Sequence, residues 1–342
     1  MDHSILESST RRWLQLSVAA LAGAALASRQ RPAYRFTRKI VVITGGSRGL
    51  GLALAREIAP EGPHLILLSR SLRESSRVVD DLIQRGATVS IATCDVQDRA
   101  QVTNAIARVI RQHGRLDVLI NNAGVIQAMP FEHAQLQDFE QSMATHFWGP
   151  LYAIRAALPV MRRQRDSRIL NIASIGGRIA VPHLSPYVAG KFALVGLSET
   201  LHAELGPLGI TVTTATPGLM RTGSHRNLLV RGRQVREAQW FSLASATSVT
   251  SMSAERAARQ IMNAVRAGRA HVTPGVQAKF GALVNALAPE LVAAAMSVVA
   301  GRVLPGSSPG GDRGAISRQL DLGWVERLMP TAAATRLNQQ TG

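Results

Sequence analysis

The sequence TGGSRGLG at residues 44–51 directly follows the apolar run IVVI at residues 40–43. Four of its eight residues are glycine, and one is arginine. Glycine adopts backbone conformations that other residues avoid, so a tight turn is the simplest interpretation. The second interpretation is that a charged group comes very close to this backbone, because a glycine-rich turn before a helix presents N–H groups that attract anions. The rest of the chain decides between the two.

Short apolar runs alternate with amphipathic segments from residue 39 to about residue 218. Continuous apolar strands that alternate with helices indicate strands buried on both faces, and therefore a doubly wound parallel α/β sheet of the Rossmann type. The predicted strands are residues 39–44, 64–69, 88–93, 116–121, 168–173 and 210–217. The predicted amphipathic helices include residues 51–59, 73–85, 99–113 and 192–205.

The pattern becomes less regular after residue 217, where residues 219–251 predict a mobile loop with a short helix. Ser253 is typical of an N-cap for a helix over residues 254–267, and residues 271–274 predict the last strand.

The apolar stretch at residues 280–304 is interrupted by Pro289, so it predicts two short amphipathic helices that cover a cleft or rest on a bilayer. We therefore divide the chain into an apolar N-terminal segment with a basic linker (1–37), one α/β domain (38–275) and a C-terminal extension (276–342).

The chain is strongly basic, with a formal net charge of +17 over 342 residues. Aromatic residues are only 4% of the chain, and there is no zinc-finger spacing or basic repeat, so we expect neither nucleic-acid binding nor a metal site. An anionic cofactor or an anionic membrane surface explains the sign of the charge better. The single cysteine, Cys94, cannot form an internal disulfide and fits a reducing compartment.

Residues 13–27 form an apolar stretch that follows Arg11 and Arg12. This stretch is shorter than the roughly 20 residues that a spanning helix needs. Three interpretations remain open: a membrane anchor or interfacial helix, a secretory signal of the twin-arginine kind, and a helix packed on the domain. The arginine-rich segment that follows favours the cytoplasmic side. We expect a cytoplasmic domain, with anchoring to the inner face of a membrane as the first of these alternatives.

Several further motifs follow the glycine-rich stretch in a fixed order. They are CDV at 94–96, NNAG at 121–124, Ser174, YVAGK at 187–191 and PG at 217–218. Together they closely resemble the short-chain dehydrogenase/reductase family over about residues 38–275. The resemblance implies an NAD(P)-dependent oxidoreductase. It also implies dimers or tetramers, although the apolar C-terminal extension leaves open whether the usual interface forms.

The end of the second predicted strand indicates which dinucleotide the chain prefers. Enzymes that prefer NAD usually place an acidic residue there to bind the ribose hydroxyls. This chain has Ser69 and Arg70 instead, and Arg48 lies in the glycine-rich stretch. Two guanidinium groups suit a 2′-phosphate, so we predict NADP(H). The alternative is that Arg70 is a solvated loop charge.

The resemblance implies further cofactor contacts. Asp95 and the adjacent Val96 would meet the adenine, Asn122-Ala123-Gly124 the adenine ribose, and the segment with Pro217, Gly218 and Thr222 the nicotinamide carboxamide. Structural roles in helix capping or strand termination are the alternative for the first two groups. The phosphate-binding loop itself would comprise Thr44, Gly45, Ser47, Arg48, Gly49, Leu50 and Gly51.

Tyr187 and Lys191 are four residues apart, so on a helix they share one face. An ammonium group near a phenol lowers the pKa of the phenol from about 10 toward the working range. Tyr187 would then exchange a proton with a carbonyl oxygen or an alcohol, and Ser174 would donate a hydrogen bond to the same oxygen. The resemblance also implies that Lys191 binds the nicotinamide ribose.

One position departs from the family pattern. Many members carry an asparagine in the helix after the NNAG strand, where it supports a water-mediated proton relay, and this chain has His146 there. A histidine can bind water and, with a pKa near 6.5, exchange protons. Simple packing of His146 against the helix start is the alternative.

These observations predict an NADPH-dependent carbonyl reductase, or the reverse alcohol dehydrogenase, and the apolar flanking segments favour a lipophilic substrate. Two alternatives remain: an NADPH-binding regulator without turnover, and a membrane-associated protein that uses the domain as a support. His183 and Ser185 lie just before Tyr187 and are candidates for lining the substrate cleft, with surface or loop roles as the alternative.

Overall fold

The structure is a computed structural model that describes residues 33–71, 75–247, 251–307, 311–325 and 335–337. The three interpretations of residues 13–27 therefore concern a segment that lies outside the described residues.

A central sheet of seven parallel strands organises the molecule. Its strands are β1 (Ile40–Thr44), β2 (His64–Ser69), β3 (Thr88–Thr93), β4 (Val118–Asn121), β5 (Ser167–Ile172), β6 (Ile210–Ala215) and β7 (His271–Val272). The spatial order is β7-β6-β5-β4-β1-β2-β3. This confirms the predicted doubly wound α/β fold.

The strand order changes direction between β1 and β4, where doubly wound sheets bind their ligands. The register places Thr44 beside Asn121, and Asn121 beside Asn171. The carboxyl ends of β1, β4 and β5 therefore open on one crevice.

Ten helices accompany these strands in the described part of the chain. They are α1 (Gly49–Ile58), α2 (Ser75–Gln84), α3 (Arg99–His113), α4 (Leu136–Met143), α5 (Gly149–Gln164), α6 (Ser185–Leu205), α7 (Gln234–Ala246), α8 (Ala254–Arg266), α9 (Val276–Leu287) and α10 (Pro289–Arg302). The predicted N-cap of α8 is confirmed, because the Ser253 hydroxyl accepts a hydrogen bond from the Arg256 N–H at 3.3 Å. A π-helical turn, Ala144–Trp148, joins α4 to α5.

Alternate residues of β1 enter two apolar cores on opposite faces of the sheet. Val41 and Ile43 pack with α1, α2 and α8. Ile40 and Val42 pack with α3 and α5. This explains why β1 reads as a continuous apolar run. Strand β3 differs from the prediction of two buried faces. It lies at the sheet edge, where Thr88, Ser90 and Thr93 are exposed and none of its residues is buried.

The C-terminal extension begins with α9 and α10, and the chain bends by 118° between the two helices. Among the described helices none is long and apolar enough to cross a membrane alone, whereas this bent pair meets the length and composition criteria together. The division of the chain at residue 275 stays a prediction.

The later part of the extension returns to the α/β unit. Ala315–Ile316 forms an antiparallel strand beside Leu229–Val230, which itself pairs with Gln127–Ala128. Further along, the side chain of Leu337 is fully buried in the core of α1 and α8. Local sequence patterns do not indicate these contacts, because they join segments far apart along the chain.

Candidate active site

The glycine-rich loop follows β1 and begins α1. Gly45 and Gly49 have positive φ angles, +64° and +56°, which other residues rarely adopt. A Cβ at Gly51 would lie 2.2 Å from the Gly45 carbonyl oxygen, so no side chain fits there. The loop therefore needs its glycines for its own shape, and the same absence of side chains leaves the backbone open to a close-lying phosphate.

Residues after β4 hold this loop in place. The Thr44 hydroxyl accepts hydrogen bonds from the N–H groups of Asn122 and Ala123 at 3.0 and 3.1 Å. The Asn122 side-chain amide donates to the Thr44 and Gly45 carbonyls at 3.1 and 3.0 Å. Asn122 and Ala123 therefore connect the two strands across the crevice, and Gly124 follows them against the ring of His146.

The corner between the glycine-rich loop and the end of β2 is positively charged. Ser47 and Ser69 share a hydrogen bond of 3.0 Å between their hydroxyls. Burial and the nearby positive charges of Arg70 and Arg318 lower the pKa of Arg48. The structure thus brings Arg48 and Arg70 together, as the sequence predicted. Arg318 was missed, since no local pattern connects it to this corner.

Asp95 and Val96 follow β3 at the same edge of the sheet. The Asp95 carboxylate accepts a hydrogen bond from the Gln97 N–H at 3.0 Å, and the Asp95 N–H donates to the Gln101 side chain at 3.0 Å. Val96 is buried. The N-cap of α3 is Asp98, so Asp95 shapes the turn before the helix and does not cap it.

The segment after β6 lies beside β5 and under α9. The Pro217 carbonyl accepts a hydrogen bond from the Ile175 N–H at 2.8 Å. A Cβ at Gly218 would lie 3.1 Å from the side chain of Ala278 in α9. Thr222 is buried, and its hydroxyl accepts from the Ser224 N–H at 3.2 Å.

Three predicted catalytic side chains meet at the carboxyl end of β5. The Ser174 hydroxyl accepts a hydrogen bond from the Gly176 N–H at 3.0 Å and also hydrogen-bonds Tyr187. The Lys191 ammonium donates to the Ile172 carbonyl at 2.9 Å and lies 5.7 Å from the centroid of the Tyr187 ring. Since α6 begins at Ser185, Tyr187 and Lys191 lie on successive turns of one helix.

Burial controls the protonation of this group. It raises the pKa of Tyr187 to about 12, although the hydrogen bond from Ser174 acts in the opposite direction. Burial also lowers the pKa of Lys191 to about 7. The sequence predicted a lowered pKa for the phenol, and the structure corrects this. A lysine with such a pKa carries only part of its charge near neutral pH, and the phenol is itself desolvated.

His146 lies in the π-helical turn and is only 1% exposed. Its Nε2 accepts a hydrogen bond from the Val125 N–H at 3.3 Å, and its Nδ1 lies 3.2 Å from the Ser142 hydroxyl. Burial and the charge of Lys191 hold the pKa of His146 well below 6.5. The sequence allowed His146 to exchange a proton near pH 6.5. Its lowered pKa in this environment does not fit that role. The choice between a relay and packing stays a prediction.

A second polar group connects the loop before α6 to α7. His183 Nδ1 lies 2.9 Å from the carboxylate of Glu237, which is fully buried. The indole N–H of Trp240 donates to the same carboxylate at 2.6 Å. Sequence reasoning named His183 but missed Glu237, because a lone acidic residue in a helix gives no signal of burial.

Comparison with known proteins bears directly on this arrangement. The model of the short chain dehydrogenase family matches residues 39–230. The chain is 32% identical over 256 residues to the 11-beta-hydroxysteroid dehydrogenase-like 4A of Arabidopsis thaliana. This match covers 74% of this chain and 82% of that protein. It is 35% identical over 205 residues to the dehydrogenase/reductase SDR family member 7B of Danio rerio, with coverage of 58% and 66%.

A solved structure is also similar. The short chain dehydrogenase/reductase of Burkholderia phymatum in complex with NAD superposes with a TM-score of 0.69 at 26% identity. The match covers 75% of this chain and 96% of that one.

Proposed function

The chain belongs to the short-chain dehydrogenase/reductase family, and we propose that it is an NADP(H)-dependent oxidoreductase that interconverts a carbonyl group and an alcohol. The observation that carries the proposal is the contact of Ser174, Tyr187 and Lys191 at the crevice beside the glycine-rich loop. A bound dinucleotide would supply the hydride from C4 of its nicotinamide. The glycine-rich loop and the segment with Pro217, Gly218 and Thr222 would hold it.

Tyr187 is the proton donor in the direction of reduction. A phenol with a pKa of about 12 keeps its proton at neutral pH, so it can give that proton to the oxygen of a reacting carbonyl. Ser174, which already hydrogen-bonds Tyr187, donates to the same oxygen and positions it. Lys191, held by the Ile172 carbonyl, binds the ribose next to the nicotinamide and supports the phenolate that remains.

The test of turnover is oxidation of NADPH in the presence of a panel of aldehydes and ketones. We expect Tyr187→Phe to lower kcat by about 10²–10⁴-fold while NADPH still binds. Tyr152→Phe is the matched control, since Tyr152 stacks on Trp148 and packs against the core of α3 and α5, whereas Tyr187 packs in another apolar cluster. Tight NADPH binding with no turnover of any carbonyl would favour the alternative of a nucleotide-binding regulator.

The proposed preference for NADP(H) rests on Arg48 in the glycine-rich loop and on Arg70 after β2. Among the described residues no carboxylate forms an ion pair with Arg48 or Arg70, and two guanidinium groups at one corner suit a 2′-phosphate. The relative from Burkholderia phymatum was solved with NAD, which makes a paired titration the decisive experiment.

The titration compares NADPH with NADH on the wild type and on Arg70→Asp. We expect the wild type to bind NADPH more tightly, and Arg70→Asp to lose at least about tenfold in NADPH affinity with little change for NADH. Arg108→Asp, an exposed arginine on α3, is the control. Equal affinity of the wild type for both dinucleotides would contradict the assignment to NADP(H).

The lipophilic character of the substrate is the next part of the proposal. Tyr187 packs in an apolar cluster that includes Leu219 and Trp240. Helix α9 covers the segment after Ser174, where the Asn285 amide donates to the Arg178 carbonyl at 2.9 Å. A cleft with such walls favours an apolar carbonyl compound, and kcat/KM should therefore rise with the apolar size of the carbonyls in the panel.

Association with an anionic lipid surface is proposed for the helix pair α9–α10. No residue of α10 is buried, and the pair carries a set of large apolar side chains that are more than half exposed. These residues are Val276, Phe280, Leu283, Leu287, Leu291 and Val298. Lys279 and Arg302 are exposed on the same helices, and the whole chain is basic, which suits anionic headgroups.

Flotation with vesicles tests this association. We expect the full chain to float with anionic vesicles, and the double variant Leu283→Glu/Leu291→Glu to remain unbound. Ile83→Glu changes an exposed apolar residue on α2 and should leave flotation unchanged. Equal flotation of the double variant and the wild type would show that α9–α10 is not the lipid-binding surface.

A further inference from the structure

Three arginines from distant parts of the chain share one corner of the molecule. Arg48 lies in the glycine-rich loop, Arg70 follows β2, and Arg318 comes from the C-terminal extension. No ion pair with a carboxylate is formed by any of the three within the described ranges. Arg48 is half-buried, whereas Arg70 and Arg318 are exposed. Like charges repel one another, and the pKa of Arg48 is lowered first by its burial and then by the positive charges of Arg70 and Arg318. Such a corner is stabilised when an anion occupies it.

The position of Arg318 is set by neighbouring backbone contacts. Ala315–Ile316 pairs with Leu229–Val230, and the Ser317 N–H donates to the Leu228 carbonyl at 2.9 Å. The Arg318 guanidinium then donates to the Asn227 side-chain oxygen at 3.2 Å. Asn227 ends the short turn that follows Thr222. Arg318 is thereby attached to the loop after β6, and from there its charge acts on Arg48 in the glycine-rich loop.

The extension meets the glycine-rich loop a second time. The Gly49 N–H donates to the Leu337 carbonyl at 2.8 Å, and the Arg56 guanidinium donates to the Arg336 carbonyl at 2.8 Å. The Leu337 side chain is fully buried beside α1. Two separate parts of the extension therefore reach the loop where the dinucleotide phosphates would lie.

We propose that Arg318 is a third phosphate-binding guanidinium of the dinucleotide site, supplied by the C-terminal extension. This inference rests on the proposed function, and it adds a residue outside the 39–230 region that the family model matches. A guanidinium presents several N–H donors in a fixed plane, which suits the oxygens of a phosphate. That phosphate is either the 2′-phosphate of NADP(H) or the pyrophosphate that both dinucleotides carry.

The experiment measures the Kd of NADPH and of NADH for the full-length wild type, Arg318→Ala and Arg313→Ala. Arg313 is an exposed arginine of the same extension and is the matched control. We expect Arg318→Ala to weaken NADPH binding at least about tenfold, and Arg313→Ala to leave it within about twofold. An equal loss for NADH places Arg318 on the pyrophosphate, whereas an unchanged NADH affinity places it on the 2′-phosphate.

The variant Arg318→Gln separates the loss of charge from the loss of the contact with Asn227, because a glutamine amide can still donate to Asn227 but carries no charge. If both variants fold as the wild type does and bind NADPH within about twofold of it, the proposal for Arg318 is overturned while the proposed function stands. A wild type that binds neither dinucleotide would overturn both.

Discussion

The ring of His146 meets the ring of Tyr187 edge-on, with centroids 5.3 Å apart and planes at 88°. His146 is held there from two sides, by the Val125 N–H and by the Ser142 hydroxyl. Because Nε2 accepts the hydrogen bond from Val125, the proton of the neutral ring resides on Nδ1 and points to Ser142. His146 therefore meets Tyr187 as a neutral ring.

This arrangement predicts how activity depends on pH. The pKa of His146 lies well below 6.5, so the ring stays neutral through the range in which a free histidine titrates. We expect His146→Asn to keep the fold and most of the activity, and the pH profiles of kcat for the two proteins to superimpose between about pH 6 and 8. A loss of wild-type activity as the pH falls through about 6.5, absent from the variant, would show that His146 titrates during turnover. A complete loss of activity with an intact fold would show that the histidine has a role of its own.

The lowered pKa of Lys191 predicts that the stability of the fold depends on pH. Its pKa is lowered from 10.5 to about 7 in the folded protein, so between these values the unfolded chain binds a proton that the folded chain does not. The free energy of unfolding should therefore rise with pH between about 7 and 10, by up to about 1.4 kcal/mol per pH unit from this group.

Urea unfolding at several pH values checks this, with Lys191→Met as the comparison. The variant lacks the titrating group, so its stability should rise less steeply over the same range. Parallel curves for the two proteins would mean that Lys191 keeps an ordinary pKa in the fold.

The burial of Leu337 predicts that the end of the described chain contributes to global stability. Its side chain is fully buried among α1 and α8, so Leu337→Ala should lower the free energy of unfolding by about 2–5 kcal/mol. Leu291→Ala changes a leucine that is 64% exposed, and should cost less than about 0.5 kcal/mol. Equal stability of the wild type and Leu337→Ala would mean that the extension does not pack there in solution.

Much of the sheet and the site follows from local patterns. Each strand of the sheet is an apolar or β-branched run bounded by turn residues, and the N-cap at Ser253 is a local signal that the structure confirms. Tyr187 and Lys191 share a face because four residues make about one helical turn. Their approach to Ser174 depends on tertiary packing, but the order of the motifs already indicated it.

The remaining features depend on contacts between distant segments. The charge of Arg318 acts on Arg48 because a two-residue strand pairs with Leu229–Val230, and so short a strand leaves no pattern in the sequence. The predicted direction of the pKa shift at Tyr187 was wrong for a related reason. Spacing places Lys191 near the phenol, but only the folded structure shows that both groups are removed from water.

The most direct test of the central claim is to follow the hydride itself. NADPH deuterated at both C4 positions is incubated with the full-length protein and a carbonyl compound from the panel, and the alcohol product is analysed by mass spectrometry. We expect one deuterium on the carbinol carbon of the product with the wild type, and a much slower appearance of the same product with Tyr187→Phe. An alcohol formed without deuterium, or at equal rates by the two proteins, would contradict hydride transfer from the nicotinamide with Tyr187 as the proton donor.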